Sequence, residues 1–226
     1  MVADMVPNCN CIADIGTDHA FLPINLIEEG KCNHAIASDI KEGPVKVASR
    51  NIFNNRLQSR IETRLGAGLD VVKPGECQVI VIAGMGGLLI CQILENNCEI
   101  AHATQKIIIQ PMNAQKEVRY FLLSNGYEIV DERSVKDGKH VYLAIKCKYS
   151  PQTSILPNDI IELHVGNIMC KRMDVNSVIY YQNMLAKTQR ILSGLEKTLY
   201  KDDEYEKRWN EYCELKIVLE KFLTGV

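Results

Sequence analysis

The sequence predicts an α/β fold: a doubly wound, mostly parallel sheet closed by an antiparallel hairpin, followed by a small all-helical extension. Three observations predict it. Short apolar runs alternate with helical patterns over the first 125 residues, as expected where each strand is followed by a crossover helix. Two further strand-like runs then meet around Asp137-Gly138, a dipeptide suited to a tight hairpin turn. After the prolines at 151 and 157 no strand pattern recurs.

The strands are read in order as "NCIADIG" (10–16), "HAIASDI" (34–40), "IETRL" (61–65), "CQVIVIAG" (77–84) and "KIIIQP" (106–111), each bounded by glycine, proline or a polar residue. "VIVIA" is apolar without alternation, the pattern of a central parallel strand covered on both faces. Helices are expected at 21–30, 43–55, 86–98 and 114–125, the last ending at Gly126. The hairpin is "YEIVDERSV" with "KHVYLAIKCKY". Five parallel strands with a terminal hairpin make seven, an arrangement that matches the methyltransferase variant of the Rossmann fold better than a dinucleotide-binding dehydrogenase. In the extension, helices are expected at 158–173, 176–200 and 202–223. One stripe runs through Ile179, Met184, Ile191, Leu195 and Leu199, another through Tyr205, Trp209, Tyr212 and Leu219, as in a coiled-coil-like hairpin. The expected domains are 1–150 and 158–226, a division that 226 residues accommodate.

Composition excludes several classes. With 46% apolar and 24% charged residues, the chain has the balance of a globular protein. It lacks an apolar run of the roughly 18 residues that span a bilayer and the layout of a signal peptide, so a cytoplasmic protein with no membrane association is expected. Nine cysteines at scattered spacings form no paired CxxC set, which points to reduced thiols and no metal. Net charge is −2, but its distribution is uneven. Residues 1–40 carry six acids against Lys31, whereas 41–64 carry six bases against Glu42 and Glu62. An acidic wall beside a basic patch suits a cationic small molecule together with a polyanion, and a solvated helix face accounts for the patch equally well. Residues 160–226 hold ten bases and ten acids, giving no net pull on RNA.

The first strand ends in Asp14 and Gly16, followed by Thr17, Asp18 and His19. A glycine turn between strand and helix brings backbone N–H groups toward a ligand. The phosphate fingerprint would continue with two more glycines, where this chain has Asp18 and Ala20. A carboxylate there repels pyrophosphate and favours a ligand with an ammonium and a sulfonium, which describes S-adenosylmethionine. Asp39 ends the second strand at the interval from which an acid reaches ribose hydroxyls. Gly84-Met85-Gly86-Gly87 follows the fourth strand, leaving room for a planar base against which Met85 could pack, and Gln110 ends the fifth.

The segments "ADIGTDHAFLP", "ASDIKEGPVKVA", "RLGAGLDV", "IAGMGG" and "IQPM", in this order, resemble the bacterial tRNA adenine-22 N1-methyltransferase family (TrmK type) over nearly the whole chain. The resemblance implies a class I S-adenosylmethionine-dependent enzyme that methylates N1 of an adenine in the D-arm region of tRNA, and it includes the helical extension. It also implies a basic helical lead before the segment similar to "VADMVP", with which this sequence opens; a shorter lead is expected to weaken RNA contact. Where the family has Gly-Asp-Gly-Leu, this chain reads Gly66-Ala67-Gly68-Leu69. The family's acid accepts a hydrogen bond from the cofactor's adenine amino group, and its loss is worth about 1 kcal/mol.

The candidate cofactor residues are therefore Asp14, Gly16, Thr17, Asp18, His19, Asp39, Ile40, Gly66, Ala67, Gly68, Ala83 and Gly84. Asp18, His19, Met85 and Gln110 are the candidates for contact with the reacting base. A monomer is the working expectation. Two other classes remain open from the residues alone: a nicotinamide-dependent oxidoreductase, which bound-cofactor mass spectrometry would reveal, and a non-catalytic RNA-binding or assembly protein retaining a nucleoside pocket.

Overall fold

The computed structural model describes residues 1–153, 159–198 and 201–224. In chain order the elements begin α1 (Val2–Met5), β1 (Cys9–Ile15), α2 (Phe21–Glu28), β2 (Cys32–Asp39), α3 (Glu42–Asn54) and β3 (Ile61–Leu65). There follow β4 (Val79–Met85), α4 (Gly87–Asn96), α5 (Cys98–Ala103), β5 (Lys106–Pro111) and α6 (Gln115–Ser124). The hairpin strands β6 (Tyr127–Asp137) and β7 (His140–Tyr149) precede α7 (Ile160–His164), α8 (Val175–Glu196) and α9 (Asp203–Thr224). All five predicted parallel strands and the hairpin are present. The sheet has seven strands in the order β3-β2-β1-β4-β5-β7-β6, with β7 antiparallel to β5 through Ile107↔Cys147 and Ile109↔Ile145.

The chain divides into two compact units. One comprises Met1–Asp131 together with the strand from Ala144 onward; the other joins Glu132–Leu143 to the C-terminal helices. In the first unit the apolar run of β4 and the isoleucines of β5 are buried on both sheet faces, with Ile80, Val81, Ile82, Ile107, Ile108 and Ile109 fully enclosed. This explains why those strands show no alternation. The order reverses between β1 and β4, which leave opposite sides of the sheet's centre. A doubly wound sheet places its crevice outside the carboxyl ends of the strands at that point.

In the second unit, Asp174 caps α8 by accepting from the Ser177 N–H at 3.0 Å, and α8 packs along α9. The predicted helix over 158–173 is broken. α7 stops at His164, Gly166 takes φ +96°, and only a 3-10 turn, Met169–Lys171, follows. At φ +96° glycine is strongly favoured at this break, and a side chain there would also have to displace the Glu132 carboxylate. On α8 the buried positions are Ser177, Tyr180, Tyr181, Thr188 and Leu192, whereas Ile179, Met184, Ile191 and Leu195 are half-buried. The apolar reading of the stripe missed this seam because four of its five members carry hydroxyl groups and only Leu192 is purely apolar. The Ser177 hydroxyl is satisfied within the helix by donating to the Asp174 carbonyl at 2.8 Å. On α9, Tyr205 and Leu219 are buried as expected, with Leu215 added between them. Leu199 and the Pro157 end of the linker lie outside the described residues.

Candidate active site

Three strand ends are stitched into one rim. Gly16, at φ +80°, turns the chain sharply after β1, and the Gly16 and Thr17 N–H groups both donate to the Ser38 carbonyl, at 2.8 and 2.7 Å. The Gly66 N–H donates to the Asp39 carbonyl at 3.1 Å. The turn after β1, the end of β2 and the turn after β3 are thus fixed side by side by backbone bonds alone. They enclose a cavity of about 250 Å³ whose walls include Gly16, Asp39, Ile40, Gly66, Ala67, Gly68 and Met85. Seven residues singled out from the sequence are therefore brought together.

Met85 reaches this cavity through a β-bulge. The β4–β5 register shifts between Ala83 and Met85, and Gly84 takes φ +75°. An extra residue in one strand re-aims the side chain that follows it. The Met85 methyl group comes to lie where a Cβ on Gly16 would stand, so a larger residue at position 16 would have to displace the Met85 side chain and would also sit at φ +80°, where glycine is favoured. Gln110 holds the bulge: its Oε1 accepts from the Gly84 N–H at 3.0 Å and its amide nitrogen faces the Met112 sulfur at 3.4 Å. It acts on the loop, with both ends of its amide engaged, and does not line the cavity.

The remaining candidates flank the cavity. Asp14 is buried beneath the β1 turn at 8% exposure. Burial pushes its carboxyl up to about 6, opposed by a hydrogen bond with Thr17. The Thr17 hydroxyl oxygen in turn accepts from the N–H of Ala20, which takes φ 57° at the start of α2. A non-glycine residue in the left-handed region is strained, and this bond helps to hold it. Asp18 is exposed and His19 half-buried, their side chains 3.0 Å apart, and the His19 ring stacks on Phe21. Ala83 precedes the bulge and Gly84 forms it, and neither is part of the cavity lining. Asp39, which lines the cavity, accepts from the Lys41 N–H at 2.7 Å through Oδ1.

Sequence reasoning missed the far wall. Leu89, Gln92, Ile93 and Asn96 of α4, with Asn97, Asp70, Ser38 and Ile15, complete the lining, and Asn97 Nδ2 donates to Asp70 Oδ1 at 2.8 Å. It also missed Asn113, whose Oδ1 accepts from the Gly87 N–H at 3.0 Å and so caps α4 from the β5–α6 loop. Among the described residues no group of three or more His, Cys, Asp or Glu is placed to hold a metal ion, and no helix is long and apolar enough to cross a membrane.

A cavity formed at the carboxyl ends of the first strands, with an acid ending the second, is the arrangement of a nucleoside-binding methyltransferase. Residues 1–145 match the methyltransferase-domain family. The chain belongs to this family. It is 40% identical over 139 residues to the tRNA (adenine(22)-N(1))-methyltransferase of Bacillus subtilis strain 168; that match covers 61% of this chain and 58% of the relative's length. Two solved structures align over nearly the whole chain. The B. subtilis m1A22 tRNA methyltransferase TrmK superposes with TM-score 0.83 at 28% identity, covering 98% of this chain and 95% of that one. TrmK of M. capricolum, in complex with S-adenosyl-homocysteine, gives 0.77 at 28% identity with 96% of each chain covered. The family resemblance read from the motifs is borne out.

Proposed function

We propose that this methyltransferase transfers a methyl group from S-adenosylmethionine to N1 of adenine 22 in tRNA, acting in the cytoplasm as a monomer. The observation that carries the reading is the single cavity that joins Gly16, Asp39 and the Gly66–Gly68 turn, within a chain whose relatives carry that activity in their names. The residues fit the cofactor. The carboxylate of Asp39 is half-exposed at the rim and can accept from ribose hydroxyls. Ile40, Leu89 and Ile93 give an apolar slot for a flat base. Gly16 lines the cavity without a side chain, and the N–H groups of its turn are held by the Ser38 carbonyl. When bound, S-adenosylmethionine supplies an electrophilic methyl group on a sulfonium sulfur.

The chain's task is then alignment. Adenine N1 has a free lone pair at neutral pH and needs no base; it must be brought to about 3 Å from the methyl carbon and kept from water. An adenine within folded tRNA has to be unstacked to reach the cavity, and Met85, in the cavity wall, is our candidate to pack on the displaced base. Methylation leaves the base cationic, and the exposed Asp18, with His19 beside it, supplies an acceptor at the rim for that charge or for the cofactor's ammonium. Asp14 and Thr17 support the turn from below. The division of labour follows the expected domains, with 1–150 holding the cofactor and 158–226 engaging the RNA.

The decisive test is transfer of labelled methyl from S-adenosylmethionine to total bacterial tRNA, with mapping of the product. Modification at N1 of adenine 22 is expected; label at another base, or none while the cofactor binds, overturns the reading. Cofactor contacts are tested separately by Asp39→Ala. Asp39 already spends one lone pair on Lys41 and is partly solvated, so the loss falls at the low end of a charged hydrogen bond, about 1.5 kcal/mol or tenfold in Kd. Calorimetry giving an unchanged Kd would remove Asp39 from the site.

A further inference from the structure

Five residues before the turn at Gly16, the same strand carries a second chemical feature. The sulfur of Cys11 in β1 stands 3.2 Å from that of Cys77, which precedes β4. The backbones that carry them are locked together: the Cys11 N–H donates to Gln78 Oε1 at 2.7 Å, and the Gln78 N–H donates to the Cys11 carbonyl at 3.0 Å. Two sulfurs already in van der Waals contact need to close only about 1.2 Å to reach the bonding distance of about 2 Å.

The two sulfurs differ in access and in character. Cys77 is 3% exposed. Cys11 lines a separate cavity of about 270 Å³ with His34, Arg60, Glu62, Arg64 and Glu76. A small polar oxidant can enter there. The hydrogen bond with Cys77 holds the Cys11 thiol below its ordinary value, with the Arg64 guanidinium acting the same way against burial and the two glutamates. Cys77 is pushed up by that same bond and by burial. The neighbouring thiols Cys9 and Cys32 are pushed up by burial, to about 11 and about 12. Reaction with peroxide selects accessible thiols with thiolate character and a partner at hand, which describes Cys11.

We propose that Cys11 and Cys77 are a peroxide-reactive dithiol, in which Cys11 is oxidised first and Cys77 resolves it to an intrachain disulfide. The Cys11 sulfur attacks one oxygen of hydrogen peroxide. The O–O bond breaks, Cys11 becomes a sulfenic acid, and the other oxygen leaves as water with the thiol proton. The Cys77 sulfur then attacks the Cys11 sulfur, the S–O bond breaks, and the hydroxyl departs as water with the Cys77 proton. Two thiols lose two electrons and one peroxide is reduced to two waters.

The bridge would join residues 66 apart in sequence, constraining the unfolded chain, so the oxidised protein is expected to melt at a higher temperature. Cofactor affinity is expected to be unchanged, because Cys11 and the Gly16 turn are separated by most of the length of β1. The test treats the full chain with one equivalent of hydrogen peroxide, alkylates it under denaturing conditions and maps its peptides without reduction. A Cys11–Cys77 crosslink is expected, lighter than the two thiol peptides by the mass of two hydrogens and reversed by dithiothreitol. In Cys77→Ser, dimedone should label Cys11. Mapping of the unmodified chain decides if that variant does not fold. A Cys9–Cys32 crosslink in its place, sulfinic acid at Cys11 without a crosslink, or thiols that all remain alkylatable would overturn the proposal.

Discussion

Replacing Gly87 by alanine is expected to destabilise the protein by about 3 kcal/mol, at the upper end of the usual cost of overpacking. At this chain length that lowers Tm by roughly 10 °C. The reason is that the atoms in the way cannot yield cheaply. A Cβ on Gly87 would stand 2.5 Å from the Asn113 carbonyl oxygen, 2.7 Å from Val118 Cγ2 and 3.1 Å from the Ala114 carbonyl oxygen. Two of these three are backbone, and they belong to the loop that caps α4 through Asn113. Relief would require α4 to move away from α6, carrying with it Leu89, Gln92 and Ile93 of the cavity wall. Cofactor binding should therefore weaken together with stability. Gly86→Ala is the internal control: that Cβ meets only the Asn113 side chain at 3.5 Å, in an extended backbone at φ −63°, and should cost under about 0.5 kcal/mol, as substitutions free of a specific clash do. Thermal melts of the two variants side by side test the claim, and equal melting temperatures would refute it.

The contrast between these neighbouring glycines marks what a sequence can carry. "IAGMGG" was legible as the substrate-side loop, because glycines after an apolar strand add nothing to a core and leave open space at the sheet's edge. Which glycine tolerates a methyl group depends on α6, almost thirty residues on, and no local pattern encodes that approach. The same division holds across the molecule. The strands of the sheet could be read, since burial on both faces leaves runs such as "VIVIA" with no alternative partner. Gly16, Asp39 and Gly66–Gly68 could be read because strand ends of a doubly wound sheet converge by topology. The α4 wall could not: Gln92, Asn96 and Asn97 look like the solvated side of a helix until the crevice is folded against them. The bulge at Gly84 was hidden too, since one unpaired residue leaves the strand's composition unchanged. Gly166 was available as a break in the 158–173 segment, but helical periodicity on either side outweighed it.

Asp14→Asn is expected to stabilise the unliganded protein at neutral pH, by up to about 3 kcal/mol, while weakening its grip on the cofactor. The carboxyl of Asp14 is buried and desolvation raises it from 3.8 to about 6. The sign follows from proton counting. Between about pH 4 and pH 6 the folded chain holds a proton on Asp14 that the unfolded chain has released, so stability falls as pH rises through that window and stays lower above it. A shift of roughly two pKa units corresponds to about 3 kcal/mol. Asparagine cannot ionise, fills the same space and keeps an oxygen able to accept from Thr17, so the penalty disappears. Urea unfolding at pH 4 and pH 7.5 tests this: the variant and the parent should nearly agree at the lower pH and diverge at the higher one. A destabilising charge beneath the β1 turn makes sense if a cationic ligand offsets it. In that case S-adenosylmethionine should bind the parent more tightly as pH rises through about 6, and Asp14→Asn should bind it weakly and with little pH dependence. If both proteins show the same slope of stability against pH, Asp14 titrates near its ordinary value and is no reservoir of charge for the cofactor.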